Sequence, residues 1–238
     1  MNNKKVAIIF FGLTRTLEKT IDSIKTNLLT QLNENLIEYD IFIHTYKING
    51  PYRNMWSGEY VSDYKNEDVE KLLNPKYFIF DDQETITNNI IFKEYYTKLG
   101  NWTGMTPEMT KYLIKNMCLA LYSKKQITLL FEEHKDEYDY AILIRPDMKI
   151  DTKIDIQHFN ELNNNNIIVP SKDWFHGCND RFCIGVPNVI LYCGKLFDNL
   201  KQYSCKKSII SEVYFFDQLK EKSIDVIPKN IEYTNLRI

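Results

Sequence analysis

Three stretches of the chain are apolar without alternation: Lys5-Val6-Ala7-Ile8-Ile9-Phe10-Phe11, Tyr39-Asp40-Ile41-Phe42-Ile43-His44-Thr45 and Tyr138-Asp139-Tyr140-Ala141-Ile142-Leu143-Ile144. Continuous β-branched and aromatic runs of this length predict strands buried on both faces, as at the centre of a parallel sheet. Gly12 breaks the first run. Leu17, Ile21, Ile24, Leu28 and Leu32 then recur at helical spacing, so strand, turn, helix and second strand predict a right-handed β-α-β unit. From Tyr46 to Gly104 the pattern weakens, with Pro51, Gly58, Pro75 and Gly100 as breaks and a short strand at Tyr77 to Phe80 within another β-α step. Pro107 opens a long helix carrying Met109, Leu113, Met117, Ala120, Ile127, Leu130 and Phe131. The third apolar run ends at Arg145-Pro146-Asp147, where proline stops the ladder and leaves the carboxylate at the sheet edge. Beyond it lie a polar loop from Asn163 to Asn166, a short strand Ile167 to Val169 and an irregular aromatic and charged segment from Trp174 to Phe182. Helices from about Pro187 to Tyr203 and from Ser211 to Lys222 precede a closing strand Ile224 to Ile227. The reading is an α/β fold with a mostly parallel central sheet and no internal repeat.

Composition narrows the picture. A chain of 238 residues, 44% hydrophobic and with 16 Tyr and 13 Phe, can bury a sizeable core within a single domain. With 8 Gly and 7 Pro it is neither fibrous nor linker-like. Its 30 basic and 32 acidic side chains leave a net charge of -2, so no excess exists to neutralise a nucleic-acid backbone. Five cysteines, Cys118, Cys178, Cys183, Cys193 and Cys205, contain no C-x-x-C pair and read as reduced, buried thiols. Val6 to Leu13, preceded by Lys4 and Lys5, imitates a signal peptide but is too short and lacks a small-residue cleavage site. No run approaches the ~18 apolar residues of a membrane span. The expectation is a soluble, cytoplasmic protein without a membrane span or a nucleic-acid partner.

In open α/β sheets ligands bind beyond the carboxyl ends of the parallel strands. The residues there are Gly12, Leu13, Thr14 and Arg15 after the first strand, His44, Thr45 and Tyr46 at the second, and Arg145 and Asp147 after the third. A flexible turn, two cations and a carboxylate at one edge suit a phosphorylated ligand with a divalent metal. Neither a P-loop nor a dinucleotide fingerprint accompanies Gly12. Each residue also has a plainer reading. Arg15 pairs with a helix carboxylate, His44 is a core histidine bonded to backbone, Asp180 makes an Asn-Asp turn, and Glu212 is a favourable charge at a helix start. Trp174 and Phe175 read equally as core, His176 as a lone histidine, and Asp151 and Asp155 as solvated turn residues.

Phe11-Gly12-Leu13-Thr14-Arg15-Thr16, the run Tyr39 to Thr45, the run Tyr138 to Asp147, and Asn179-Asp180-Arg181-Phe182-Cys183-Ile184-Gly185, with Ser211-Glu212 and Arg237 following, form an ordered set. In order and spacing this set resembles GT-A-type glycosyltransferases of bacteria and large DNA viruses, over most of the chain except roughly Tyr46 to Met105. The resemblance implies a Rossmann-like, three-layer GT-A fold. Residues 1–150 would bind a nucleotide-sugar, a UDP-sugar by preference, and 151–238 a carbohydrate or glycoconjugate acceptor. For a viral chain the compartment would be the host cytoplasm. Arg145-Pro146-Asp147 stands where such enzymes carry D-x-D. By that resemblance Asp147 would hold Mn²⁺ or Mg²⁺, with help from a later residue such as His176, or Arg145 would itself neutralise the diphosphate. Gly12, Leu13, Thr14, Arg15, His44, Thr45, Tyr46, Arg145, Trp174 and Arg181 are the implied substrate-binding residues, Trp174 and Phe175 by stacking on a sugar face. Asp180 is the implied general base and Glu212 the second candidate. A sugar-nucleotide nucleotidyltransferase and a catalytically silent sugar- or nucleotide-binding module are the alternatives. The first would ordinarily need a loop richer in glycine and lysine than Gly12-Leu13-Thr14-Arg15.

Overall fold

A computed structural model describes residues 4–98 and 105–238; the break expected at Gly100 lies outside the described residues. Strand β1 (Lys5–Phe11) leads into helix α1 (Leu17–Ile24), which continues through a π-helical turn (Lys25–Leu29) into α2 (Thr30–Glu34) and returns as β2 (Glu38–Lys47). Two three-residue strands, β3 (Tyr52–Asn54) and β4 (Glu59–Val61), form a hairpin that the weak pattern after Tyr46 did not foretell. Next come α3 (Val69–Leu73), β5 (Tyr77–Asp82), α4 (Gln83–Asn89) and α5 (Pro107–Glu132). The remainder comprises β6 (Tyr140–Ile144), β7 (Met148–Ile150), β8 (Asn166–Pro170), β9 (Phe182–Gly185), α6 (Pro187–Gly194), α7 (Phe197–Ser204), α8 (Ser211–Glu221), β10 (Asp225–Lys229) and β11 (Tyr233–Asn235). The single helix expected from Pro187 to Tyr203 is two, because the chain leaves helical order at Lys195 and Leu196 between α6 and α7.

Seven strands make the main sheet in the order β10-β8-β9-β6-β1-β2-β5. All neighbours pair in parallel except β9, which runs antiparallel to both β8 and β6. The fold is therefore α/β with a mostly parallel sheet, as expected. The pleat explains the continuous apolar runs. Val6, Ile8 and Phe10 of β1 join one core with Leu17, Ile21 and Ile24 of α1. Ala7, Ile9 and Phe11 face the opposite core with Ile114, Cys118 and Ile127 of α5. Both faces of β1 are covered, giving three layers, and each fully buried aliphatic or Phe side chain contributes roughly 1.5–3 kcal/mol. Helix α5 starts where Thr106 accepts a bond from the Met109 amide at 3.2 Å, with proline in its first turn. Helix α1 has no such cap of its own; Glu67 supplies it from a loop, accepting from the amides of Leu17 (2.7 Å) and Glu18 (3.2 Å).

The reversed strand β9 matters for function. Ile144 at the end of β6 pairs with Phe182 at the start of β9, so the residues preceding β9 reach the edge where the parallel strands end. All five cysteines are free thiols, four buried and Cys205 exposed. No helix among the described residues is long and apolar enough to cross a membrane.

Candidate functional site

Asp147, just past β6, is only 2% exposed. Three guanidiniums meet its carboxylate: Arg145 through Nε (2.9 Å) and Nη2 (2.5 Å), Arg15 through Nη2 (3.2 Å) and Arg237 through Nη1 (3.1 Å). Burial alone would push the Asp147 carboxyl up, but these cations, Arg145 foremost, hold it below the ordinary carboxylate range. Arg15 also donates from Nη1 to the Tyr52 hydroxyl of the hairpin. Arg237 follows β11, which pairs with β7 and returns the chain over Asp147, whose carbonyl accepts from the Leu236 amide at 2.9 Å.

The cluster forms the floor of a cleft of about 400 Å³. Its walls come from the β1–α1 turn, the hairpin and the first turns of α5, with Tyr52, Arg53, Trp56, Tyr112, Lys115 and Asn116 among them. Four of the five arginines in the chain, Arg15, Arg53, Arg145 and Arg237, line this one cleft. Of the expected binding residues, Gly12, Leu13, Arg15, Tyr46, Arg145 and Asp147 line it too. Arg53, Tyr52 and Trp56 escaped sequence reasoning because they sit on three-residue strands and their turn, which carry no readable periodicity.

Other expected contacts lie elsewhere. His44 is fully buried: its Nδ1 lies 2.7 Å from Ser123 Oγ and its Nε2 3.0 Å from Asp81 Oδ2. Ser123 Oγ also accepts from the Gly12 amide at 2.7 Å. Burial lowers the affinity of His44 for a proton, which the Asp81 bond only partly restores. The histidine therefore braces the β1–α1 turn, in which Gly12 adopts φ +97°, and does not line the cleft, a correction to the sequence reading. Thr14 and Thr45 are likewise buried, their hydroxyls 3.5 Å apart. Trp174, half-buried, donates its indole N–H to the Pro170 carbonyl at 2.7 Å, packs near Phe216 against the core and does not line the cleft, a correction to its substrate-binding reading. Asp155 caps a short 3₁₀ turn by accepting from the Gln157 amide at 2.9 Å, and Asp151 accepts from the Thr234 hydroxyl at 2.7 Å, which matches their reading as turn residues.

A second cluster stands beside the first. Asp180 and Arg181, just before β9, meet Ser211 and Glu212 at the start of α8. Ser211 donates to Asp180 Oδ2, Arg181 Nη2 donates to Glu212 Oε1 at 2.9 Å, and Lys124 of α5 donates to the Asp180 carbonyl at 3.1 Å. Backbone joins the clusters, since the Arg145 amide donates to the Arg181 carbonyl at 3.1 Å. Burial would push Asp180 up, but the charges of Arg181 and Lys124, the Ser211 bond and, further off, Arg145 hold it below the usual range. Glu212 goes the other way, pushed up first by burial and then by the Asp180 charge, with Arg181 opposing. The Asp180 side chain keeps 21% of its surface exposed, against 8% for Glu212, so Asp180 is the more exposed of the pair. The preceding loop is tight: Phe175 and His176 take φ of +41° and +70°, and Gly177 packs so closely that a Cβ there would lie 2.0 Å from the Glu212 carbonyl oxygen.

The Asp147 donor set does not fit a divalent metal. Both carboxylate oxygens are engaged by guanidiniums, and three cations crowd the place where a fourth would sit. The buried polar atom left without a partner at this site is Arg15 Nε, a donor, which calls for an acceptor and not for a cation.

No protein-family profile matches the chain, and none of the curated proteins matches it. Among solved structures it is similar to mouse xyloside xylosyltransferase 1 in its apo form, at 10% identity over 95% of this chain and 85% of that one, with a TM-score of 0.42. It is also similar to apo glycosyltransferase GlyE of Streptococcus pneumoniae, at 11% identity over 95% of this chain, with a TM-score of 0.46; the match covers 45% of the GlyE chain.

Proposed function

We propose that the protein is a glycosyltransferase that moves a sugar from a nucleotide-diphosphate sugar to an acceptor hydroxyl. The observation that carries this reading is the placement of a cation-rich cleft and a partly exposed carboxylate, Asp180, at the carboxyl edge of one sheet, joined by the Arg145–Arg181 backbone bond. Transfer needs both. Breaking the bond between the anomeric carbon and the phosphate oxygen develops positive charge on the sugar and negative charge on the departing diphosphate. Donors fixed beforehand, such as the Asp147-bound guanidiniums, stabilise that negative charge without reorganising.

The second half of the reaction belongs to the acceptor. In a single displacement, which inverts the anomeric centre, the acceptor oxygen bonds to the anomeric carbon as the phosphate oxygen leaves, and the hydroxyl proton goes to Asp180. Asp180 suits this role because it is partly exposed and is held as a carboxylate by Arg181, Lys124 and Ser211. Glu212 and Arg181 act through it as positioning residues. The hairpin and the first turns of α5 wall the nucleotide end of the cleft, and the exposed Phe175, with the Arg181 guanidinium 5.9 Å from its ring centre, faces the acceptor side. A UDP-sugar donor and a carbohydrate or glycoconjugate acceptor are the substrate classes proposed.

Asp180→Asn is the test. The amide keeps the shape and can still accept from Ser211, but it takes no proton. Transfer should fall by roughly 10²–10⁴-fold, with donor affinity measured by calorimetry unchanged. A variant with wild-type turnover removes Asp180 from the reaction.

A further inference from the structure

The structure assigns the task of a divalent cation to the arginines: Arg15, Arg145 and Arg237 bind the diphosphate directly, and Asp147 is the positioning residue that holds their forks in place. This inference rests on the diphosphate-donor reading above and narrows it to a metal-free site.

Charge is the first argument. Three guanidiniums bond the one carboxylate of Asp147, leaving a surplus of positive charge on the cleft floor that nearby Glu59 offsets only in part. A diphosphate diester carries an ionised oxygen on each phosphate, so its charge is opposite to that surplus. The surplus is felt within the cluster. Burial, then the repulsion of Arg15, and after the partial relief from Asp147 that of Arg145, lower the affinity of Arg237 for its own proton. An incoming anion relieves that repulsion, whereas an incoming divalent cation adds to it.

Donor geometry is the second argument. Asp147 takes Nε and Nη2 of Arg145 but only Nη1 of Arg237 and only Nη2 of Arg15. Each planar fork therefore keeps donors beyond those given to Asp147, and Arg15 Nε is buried without any partner. Arg145 and Arg237, whose side chains are 29% and 36% exposed, present the cluster to the cleft, while Arg15, at 8%, is fixed from beneath by Tyr52.

In Rossmann-like folds the amino end of the first helix ordinarily receives the pyrophosphate. Here Glu67 occupies that end through the amides of Leu17 and Glu18. The Glu67 carboxyl group already takes up those amides, so the diphosphate is left to the arginines.

Titration calorimetry with inorganic pyrophosphate and with UDP, on the full chain in EDTA and again in Mn²⁺ after the ligands' own metal binding is subtracted, tests the inference. The expected result is binding in EDTA with an affinity within about twofold of that in Mn²⁺. Arg237→Gln, verified as folded by its thermal transition, should bind roughly 10–100-fold more weakly in EDTA, and Arg237→Lys should fall between, because it keeps the charge and loses the fork. Binding seen only with Mn²⁺ overturns the metal-free inference and leaves the diphosphate-donor reading standing. Binding in neither condition overturns both.

Discussion

With Asp147 replaced by alanine, buried Arg15 and the partly exposed Arg145 and Arg237 would meet without their counter-charge. Breaking a buried ionic network from one side costs ~3–5 kcal/mol, so Asp147→Ala should lose stability of that order in urea denaturation; a loss below about 1 kcal/mol would mean the cluster is surface-like. Glu67 gives a pH signature. Burial first, then the Glu18 charge, push it up to about 7 from 4.5, although two amides bond to its carboxylate. The folded state thus holds this proton where the unfolded chain has released it, and the Glu67 contribution to stability falls as pH rises from about 4.5 to about 7. Glu67→Gln should therefore gain on the wild type across that window and stay level above it, read as the difference between two denaturation midpoints; a flat difference refutes the assignment. Which single residues could be foreseen follows the same physics. Arg15, Arg145 and Asp147 were legible because a charge set directly after a buried strand has few structural uses. Arg53 was not, and Arg237 entered only as part of the ordered set without a role, because Arg53 lies within a three-residue strand and Arg237 follows another, and no local signal distinguishes a cation returned to the cleft by tertiary pairing from one in solvent.

Elements position these side chains through a few buried contacts. Ser123 of α5 ties the Gly12 amide to His44 of β2, so Ser123→Ala leaves a buried donor and a ring nitrogen unpaired. The expected cost is ~1–3 kcal/mol, with a weaker KM for donor as the β1–α1 turn loosens; an unchanged thermal transition contradicts the brace. At the other end of the edge, Gly177→Ala would force a methyl into the Glu212 carbonyl and shift the start of α8. Its expected mark is a lowered kcat with donor affinity retained, because Ser211 and Glu212 support Asp180 and do not line the donor cleft. Equal loss of both would place the loop in donor binding instead. The strands that build this edge were read in proportion to their burial. β1, β2 and β6 are continuous apolar runs covered on both faces. β9 is four residues, Phe182-Cys183-Ile184-Gly185, too short to show a period, and its reversed direction is set by partners distant in sequence. The β3–β4 hairpin and the β7–β11 pair are shorter still.

For the whole molecule, a net charge of -2 first spoke only against polyanions. The fold gives that number a shape, because four of only five arginines gather at one cleft while lysines and carboxylates pair over the rest of the surface. A cleft so arranged suits a small dianion, the kind of ligand the proposed transfer requires. The alternatives keep parts of this picture: a silent binding module needs the cleft without the Asp180 pair, and a nucleotidyltransferase needs a grip on a triphosphate that Gly12-Leu13-Thr14-Arg15 does not offer. The most direct measurement is to incubate the protein with a panel of UDP-, GDP- and dTDP-sugars in EDTA and follow release of free nucleotide diphosphate and sugar. The account predicts slow release to water from one donor class, accelerated by a suitable carbohydrate acceptor and abolished in Asp180→Asn. Tight donor binding with no release from any member, with or without acceptor, would contradict it.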